Sequence, residues 1–445
     1  MSMIGDGGLP REDLVFFGVS DLGGHFRGKG FPRADLEDRL DKGVGMTGSN
    51  IMMSAFGPIY ETPFGTEGDT VMVADPTTAV DVAFGPSSPS ERFYICDLRT
   101  TEGAPWSCCP RDFMRRAVDA LSAEFGLELL AAFEQEFVLP ADGGRPGTSY
   151  GHDSFRRGAA FGEAFMAALR AAGATPDSFL PEYAPEQFEV TVAPKLGLRA
   201  ADEAVILREM ARAVAARLGT RVSFAPLMEV DGVGNGTHVH FSLRDVAGQP
   251  VMHDPARPHG LSDLGEHFVA GIQRHIRALA AVTAPSVASY YRLRPNRWAP
   301  TWNNVGFRDR GASLRICPVF RSDRESVARQ FNVEYRVADA TACPHLVLGG
   351  LMHAGLDGLR QKLRFAPAPR EGVWNLSDAE REQAGFRSLP QRLEDSLDLL
   401  AATPEAAGWF GKEFLDVYLS FKRAEARVVA GLPEEEVIRR YVAAY

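Results

Sequence analysis

No apolar run in the sequence approaches the ~18 residues that a membrane-spanning helix needs. Cysteine is sparse: Cys96, Cys108, Cys109, Cys317 and Cys343 form no CxxC pair and no even disulfide framework, which argues for a reducing compartment. Basic residues are outnumbered, 48 Lys and Arg against 58 Asp and Glu, for a formal charge of −10. Nucleic-acid backbones and anionic membranes both ask for a basic footprint, so neither is the expected partner. Residues 1–10 lack the basic and apolar regions of a secretory leader, and a cytoplasmic location is expected. There is no HExxH and no GxxxxGK[ST] loop, and the glycine-rich GVGNG at 232–236 does not open a helix. Zinc-protease, P-loop and dinucleotide-fingerprint chemistries therefore lack support.

What is present divides into two textures. Residues 14–19, 70–74 and 93–96 are short apolar runs separated by Gly and Pro, which is strand chemistry. Helical spacing follows at 112–125, 202–218, 264–282, 346–363, 393–400 and 414–430, with strands between. The stretch 100–110, carrying Gly103, Pro105 and Pro110, reads as the linker. The expectation is an α+β protein with a small β-containing domain over 1–104 and a larger domain over 105–445.

Five short segments share one pattern. In LLAAFEQEFVL (129–139), Glu134 and Glu136 share one face and mostly apolar residues the other. Side chains two apart on a strand lie roughly 6.7 Å apart, so the two carboxylates repel unless a cation or solvent intervenes. Taken alone, this is the ordinary look of a solvated sheet face. The pattern recurs, however. QFEVTV offers Gln187, Glu189 and Thr191, and THVHFSL offers His238, His240 and Ser242. SLRIC offers Ser313, Arg315 and Cys317, and VEYRV offers Glu334 and Arg336. Faces this mixed in acid and base are poorly explained by solvation. If they line one cavity, many carboxylates with one or two imidazoles suit Mg²⁺ or Mn²⁺. The facing arginines suit the charge of a polyphosphate. Chemistry alone points to a metal-dependent nucleotide enzyme without a P-loop.

At these residues the sequence resembles the glutamine synthetase family. The similar segments, in family order, are FEQEFVL, EYAPEQFEV, GVGNGTHVHFSL, RGASLRICP, EYRVADATACPHLVLGGLMHAGLDGL, LPQRLEDSLDLL and WFGKEFLDVYLSFKRAE. The resemblance implies an N-terminal β-grasp-like domain and a catalytic domain with an antiparallel sheet funnel flanked by helices. It also implies a homo-oligomer, usually a dodecamer of two hexameric rings whose sites are closed by the neighbour's N-terminal domain. Two or three Mg²⁺ or Mn²⁺ ions would be held by Glu136, Glu182 and Glu189 on one side and Glu134, His238 and Glu334 on the other. Arg292, Arg336 and the Gly234 backbone would hold L-glutamate. Arg310, Arg315, His240 and Ser242 would handle ATP, the two arginines lying near the transferred phosphoryl group. The implied chemistry phosphorylates the γ-carboxylate of glutamate and lets an amine displace the phosphate.

The departures bear on the amine. Where ammonia-using members carry an ammonium-binding Asp, this chain has Thr47 in MTGSN, and where the flap carries a Glu it has Trp298. Tyr150 answers to the tyrosine of the ammonium pocket. Losing two negative charges weakens the hold on a small cation, while an aromatic ring rewards an apolar substituent. WAPTWNN and EYAPEQFE look closest to the branch that makes γ-glutamyl-polyamines and γ-glutamyl-monoamines. Asn332 stands where an ATP-assisting Arg is usual, with Arg329 nearby to compensate, and Val233 replaces an Asn that usually touches glutamate. No tyrosine occurs at 375–377, which argues against control by adenylylation. The leading expectation is an ATP-dependent glutamate–amine ligase serving amine catabolism. The alternatives are glutamine synthetase using ammonia and a non-catalytic structural or sensor homologue, the latter disfavoured by six intact metal-ligand candidates.

Overall fold

The computed structural model describes residues 11–57, 62–64, 68–85, 88–140, 149–295, 297–366, 368 and 372–445. The reading of residues 1–10 as leaderless lies outside them. In the N-terminal part, β1 (Leu14–Ser20) forms a hairpin with β2 (Phe26–Pro32). After α1 (Leu36–Lys42) come β3 (Val44–Thr47), β4 (Asp69–Ala74), β5 (Val80–Val82) and β6 (Glu91–Thr100). The sheet order is β2-β1-β6-β4-β3 with β5 also on β6, and β1 and β6 run parallel. Alternation drives it: Val15, Phe17 and Val19 of β1 are all buried.

The chain then enters α2 (Pro110–Phe125), which has Pro at its first turn and left-handed Gly126 at its end. Strands β7 (Leu127–Val138), β8 (Pro176–Pro181), β9 (Gln187–Val192), β10 (Lys195–Leu196) and β11 (Thr237–Asp245) belong to a second sheet. Interleaved with them are α3 (His152–Ala171) and α4 (Leu198–Arg217), followed by α5 (Asp263–Thr283) and α6 (Val287–Arg292). Short strands β12 (Val305–Phe307), β13 (Leu314–Ile316) and β14 (Val333–Tyr335) complete the sheet, with α7 (Arg324–Gln330) before β14. Its order is β12-β13-β14-β11-β7-β9-β8, with β10 also on β7, and all pairs are antiparallel except β12 with β13. The chain ends in helices: α8 (Pro344–Gln361), α9 (Asp378–Gln383), α10 (Leu393–Ala402), α11 (Pro404–Phe410), α12 (Lys412–Val429) and α13 (Glu434–Ala444). No helix among the described residues is long and apolar enough to cross a membrane.

The second sheet is apolar behind and polar in front. Behind it, Phe137 of β7 meets Phe161 and Phe165 of α3, and Phe241 of β11 meets Phe268 of α5. Helix α8 is the centre of this layer, with every residue from Pro344 to Leu359 buried. It crosses α5 backbone to backbone. A Cβ added at Gly271 would come 2.1 Å from the Ala354 carbonyl oxygen, and one at Gly358 2.1 Å from the His267 carbonyl oxygen. Gly271→Ala is therefore expected to cost about 1–3 kcal/mol by forcing the helices apart. Gly408→Ala, on an open helical surface, should be neutral or slightly stabilising. Thermal melts of the two variants check this, and equal melting temperatures would refute the close crossing.

Candidate active site

Strand pairing brings the five polar faces together. His238 of β11 lies opposite Glu134 of β7, and Glu136 lies opposite Glu189 of β9. On the other side of β11, His240 lies opposite Glu334 of β14, which in turn faces Arg315 of β13. Because side-chain direction alternates along each strand, these registers put every one of those groups on the face away from the helices. All of them except His240 line a cavity of about 590 Å³ together with Glu182, which follows β8, and with Arg292, Arg310 and Arg336.

The charges are tightly arranged. Glu334 is 1% exposed. It accepts from Arg315 Nη1 at 2.8 Å, pairs with Arg336, and lies 3.4 Å from His238 Nδ1. Burial alone would raise its pKa; His238, Arg336 and His240 outweigh that and hold it at about 2. Glu134 is likewise held well below the carboxylate range, because hydrogen bonds with His238 and His240 overcome its burial. His238 Nδ1 is 2.8 Å from Glu134 Oε1, and His240 Nε2 is 3.3 Å from Glu134 Oε2. Glu189 and Glu182 shift the other way. Burial comes first in both, reinforced for Glu189 by Glu134, Glu136 and Glu182, and for Glu182 by Glu136. One half of the cavity thus has its carboxylates neutralised by basic side chains, while the other half is short of positive charge.

That shortage is the test of metal fit. Glu134, Glu189 and His238 offer ligand atoms within 4.8 Å of one another, as do Glu134, His240 and Glu334. Oxygen donors with one imidazole per group suit a hard divalent ion. These sets cut across the division expected from sequence. Glu136 and Glu182 share the cavity, but each has a protein partner: Glu136 accepts from Gly236 N at 2.8 Å, and Glu182 from the Tyr150 hydroxyl at 2.7 Å.

Arg292, at the end of α6, donates to the carbonyls of Val337 and Ala338 and leaves its Nε unpaired, as do Arg315 and Arg336. A Cβ at Gly234 would sit 2.5 Å from Arg292 Cγ, so only glycine lets this loop lie against the arginine. Asn235 and Gly234 are tied to Gln187 Nε2 at 2.7 and 2.9 Å. Buried guanidiniums with free donors beside a glycine loop form a seat for a small carboxylate ligand. Arg310 is exposed at the same cavity and has no ion-pair partner among the described residues. A second cavity of about 520 Å³ lies across Glu134 and is lined by His240, Ser242, Arg329, Asn332 and the exposed Phe320. Asn332 Oδ1 accepts from His240 Nδ1 at 2.9 Å, and Asn332 Nδ2 donates to the Gln330 carbonyl. Arg329 is mostly exposed and pairs with Glu325.

The sequence matches the model of the glutamine synthetase catalytic domain over residues 107–441 and that of the glutamine synthetase N-terminal domain over 4–106. The chain belongs to the glutamine synthetase family. Gamma-glutamylpolyamine synthetase GlnA3 of Streptomyces coelicolor is 34% identical, over 96% of this chain and 92% of its own. A glutamine synthetase of Thermococcus kodakarensis is 31% identical over 92% and 89%. The crystal structure of a novel glutamine synthase homolog has a TM-score of 0.90 at 38% identity, covering 98% and 99% of the two chains. The GmaS/ADP complex superimposes at 0.78 with 26% identity, covering 95% of each. The protein is thus a glutamine synthetase-family ligase, an ATP-dependent carbon–nitrogen ligase of the α+β fold expected from sequence.

Two of the residues singled out by family resemblance take instructive places. Thr47 ends β3 in the other sheet and does not line the cavity. Trp298 stands at the cavity, 66% exposed, with its indole stacked on Tyr183 at 5.4 Å and 10°. Two cavity residues with polar side chains went unseen in the sequence, Tyr183 and Arg297, as did the apolar Leu180 and Ala299. Tyr183 directly follows Glu182 and Arg297 directly precedes Trp298, so adjacency to those two was the only signal.

Proposed function

We propose that this enzyme ligates an organic amine to the γ-carboxylate of L-glutamate with consumption of ATP. The observation that carries the reading is Trp298: an aromatic ring stacked on Tyr183 stands at the cavity where an acid would attract ammonium. In the first half-reaction the γ-carboxylate attacks the γ-phosphoryl group of ATP, giving γ-glutamyl phosphate and ADP. In the second, a neutral amine attacks the acyl carbon, inorganic phosphate leaves, and the nitrogen loses a proton to leave the γ-glutamyl amide. Arg292, Arg336 and the Gly234 backbone orient glutamate. Arg310 and Arg315 meet the charge on the transferred phosphoryl group, and His240, Ser242 and Arg329 line the nucleotide side. Glu134, Glu136, Glu182, Glu189, His238 and Glu334 would hold Mg²⁺ or Mn²⁺. Bound there, the ions would neutralise phosphate charge.

The likeness to a gamma-glutamylpolyamine synthetase supports an amine other than ammonia, in keeping with a role in amine catabolism in the cytoplasm. Thr47 lies away from the cavity of its own chain, which supports a ring-shaped homo-oligomer, with the dodecamer as the proposed form, in which a neighbour's N-terminal domain completes the site. The glutamine synthetases among the relatives favour ammonia as the second reading. The deciding experiment measures phosphate release from ATP with glutamate and Mg²⁺ or Mn²⁺. Its amine panel is ammonium, methylamine, isopropylamine, ethanolamine, putrescine, spermidine and aniline, with mass detection of the product. Preference for an organic amine is expected; preference for ammonium would return the enzyme to glutamine synthesis.

A further inference from the structure

Three aromatic rings form a continuous wall at the mouth of the cavity. Tyr150 meets Tyr183 edge-on at 5.5 Å, and Tyr183 stacks on Trp298. All three are exposed large hydrophobic residues, and Leu180, Val233 and Ala299 continue the apolar lining. Tyr150 and Trp298 hold left-handed backbone angles, with φ of 54° and 56°. Bulky residues rarely adopt that conformation, and such strain persists where the surroundings fix a residue in place. The wall is anchored at its inner end, where the Tyr150 hydroxyl donates to Glu182.

The acidic side chains of the cavity are already engaged. Among the described lining residues, the carboxylates are Glu134, Glu136, Glu182, Glu189 and Glu334; Glu134, Glu189 and Glu334 belong to the groups that fit a metal ion, Glu136 accepts from Gly236 N, and Glu182 accepts from the Tyr150 hydroxyl. None is left over for a second ammonium. The cation next to the aromatic wall is Arg297, which directly precedes Trp298, and Arg310 lines the same cavity. Arg297 is fixed by a 3.0 Å bond from Nη1 to the Gly232 carbonyl. Its acidic neighbour Asp231 lies 3.5 Å from Nη2, but points outward with a side chain 98% exposed and does not line the cavity.

We infer that the amine subsite selects a monoamine with an apolar or aryl substituent, seated on Tyr183 and Trp298, and disfavours a diamine or polyamine because Arg297 repels the second ammonium. This rests on the glutamate–amine ligase reading and narrows it, in the opposite direction from the polyamine named for the Streptomyces relative. A desolvated charge without a partner is costly, whereas a hydrocarbon tail gains from burial against the rings.

Butylamine and putrescine isolate the effect, since they share a four-carbon chain and differ in the second ammonium. The expected result is a kcat/KM for butylamine at least about tenfold above that for putrescine, with benzylamine also accepted. Arg297→Gln should narrow that ratio, and Trp298→Ala should raise KM for butylamine while KM for glutamate and ATP stays within about twofold. A merely structural role for either residue would move all three constants together. Putrescine preferred by the unmodified enzyme would overturn the inference and leave the ligase reading intact. Turnover with ammonium alone would overturn both. An unchanged butylamine-to-putrescine ratio in Arg297→Gln would overturn the role given to that arginine.

Discussion

Glu334→Gln is expected to lower ligase turnover by about 10²–10³-fold, on the scale of losing one preorganised charge from a catalytic site. Stability should fall with it. Glu334 is buried between Arg315, Arg336 and His238, and among the described residues its side chain carries the only negative charge in direct contact with both guanidiniums. Neutralising it strands two buried cations, and breaking a buried ion pair from one side costs about 3–5 kcal/mol. The two effects separate experimentally. Phosphate release under saturating substrates gives turnover. Melting temperature with and without Mg²⁺ and nucleotide gives the ligand-linked stabilisation, which the unmodified enzyme should show because the ligands bind the folded state. The variant should melt lower in both conditions and gain less from the ligands. Turnover within a factor of two of the unmodified enzyme would remove Glu334 from the site.

Much of that site was legible in the sequence because strands encode their faces in alternation. Glu134, Glu136, Glu189, His238, Arg315, Glu334 and Arg336 all fell on the polar side of a two-residue repeat; the sheet registers bring the first six to one cavity, and Arg336, just past β14, lines it too. Glu182 was not visible this way. It follows β8 in a turn, where no period applies, and family resemblance alone pointed to it. Tyr183 and Arg297 stayed hidden for the same reason, since loop residues acquire neighbours only from the three-dimensional path. The short strands also came out shorter than their patterns suggested: the 333–337 segment is a strand only to Tyr335. Arg336 leaves the ladder while its N–H still bonds the Ser313 carbonyl. Helices fared differently. The run at 346–363 was placed to within two residues, because α8 is mostly apolar and is buried from Pro344 to Leu359. The buried charges on α2 and α4 break the apolar period rather than mark it, and their importance appears only in the packing.

Those buried charges carry the second large effect. Arg111 on α2 forms a two-pronged bond to Asp202 on α4, at 3.0 and 2.9 Å. The same guanidinium reaches Asp75 at 2.7 Å and Asp97 at 2.9 Å in the N-terminal sheet region. His345, at the start of α8, adds a 2.8 Å bond to Asp202. One carboxylate therefore ties the central helix to the arginine that holds the N-terminal sheet against the helical layer. Asp202→Asn should cost about 3–5 kcal/mol, since Arg111 and His345 stay buried with less compensation.

The pH dependence gives the sharper test. Burial pushes the His345 pKa down, but its bond to Asp202 prevails and raises it from 6.5 to about 9. A pKa raised on folding gives stability that is whole below the unfolded value and lost as pH rises through the folded one. The His345 contribution should thus be full below about pH 6.5 and fade toward pH 9. Asp202 behaves in the opposite sense. Burial would raise its pKa, but His345 and Arg111 outweigh that and lower it from 3.8 to about 2. Its contribution is full above pH 3.8 and lost as pH falls toward 2. Both contributions are whole only between about pH 4 and 6.5. Calorimetric melting temperatures of the unmodified enzyme should decline from pH 6.5 to 9, and Asp202→Asn should flatten that decline while lowering the whole curve. Parallel curves for the two proteins would show that the His345–Asp202 pair does not govern alkaline stability, and that the junction of the two sheets is held by packing instead.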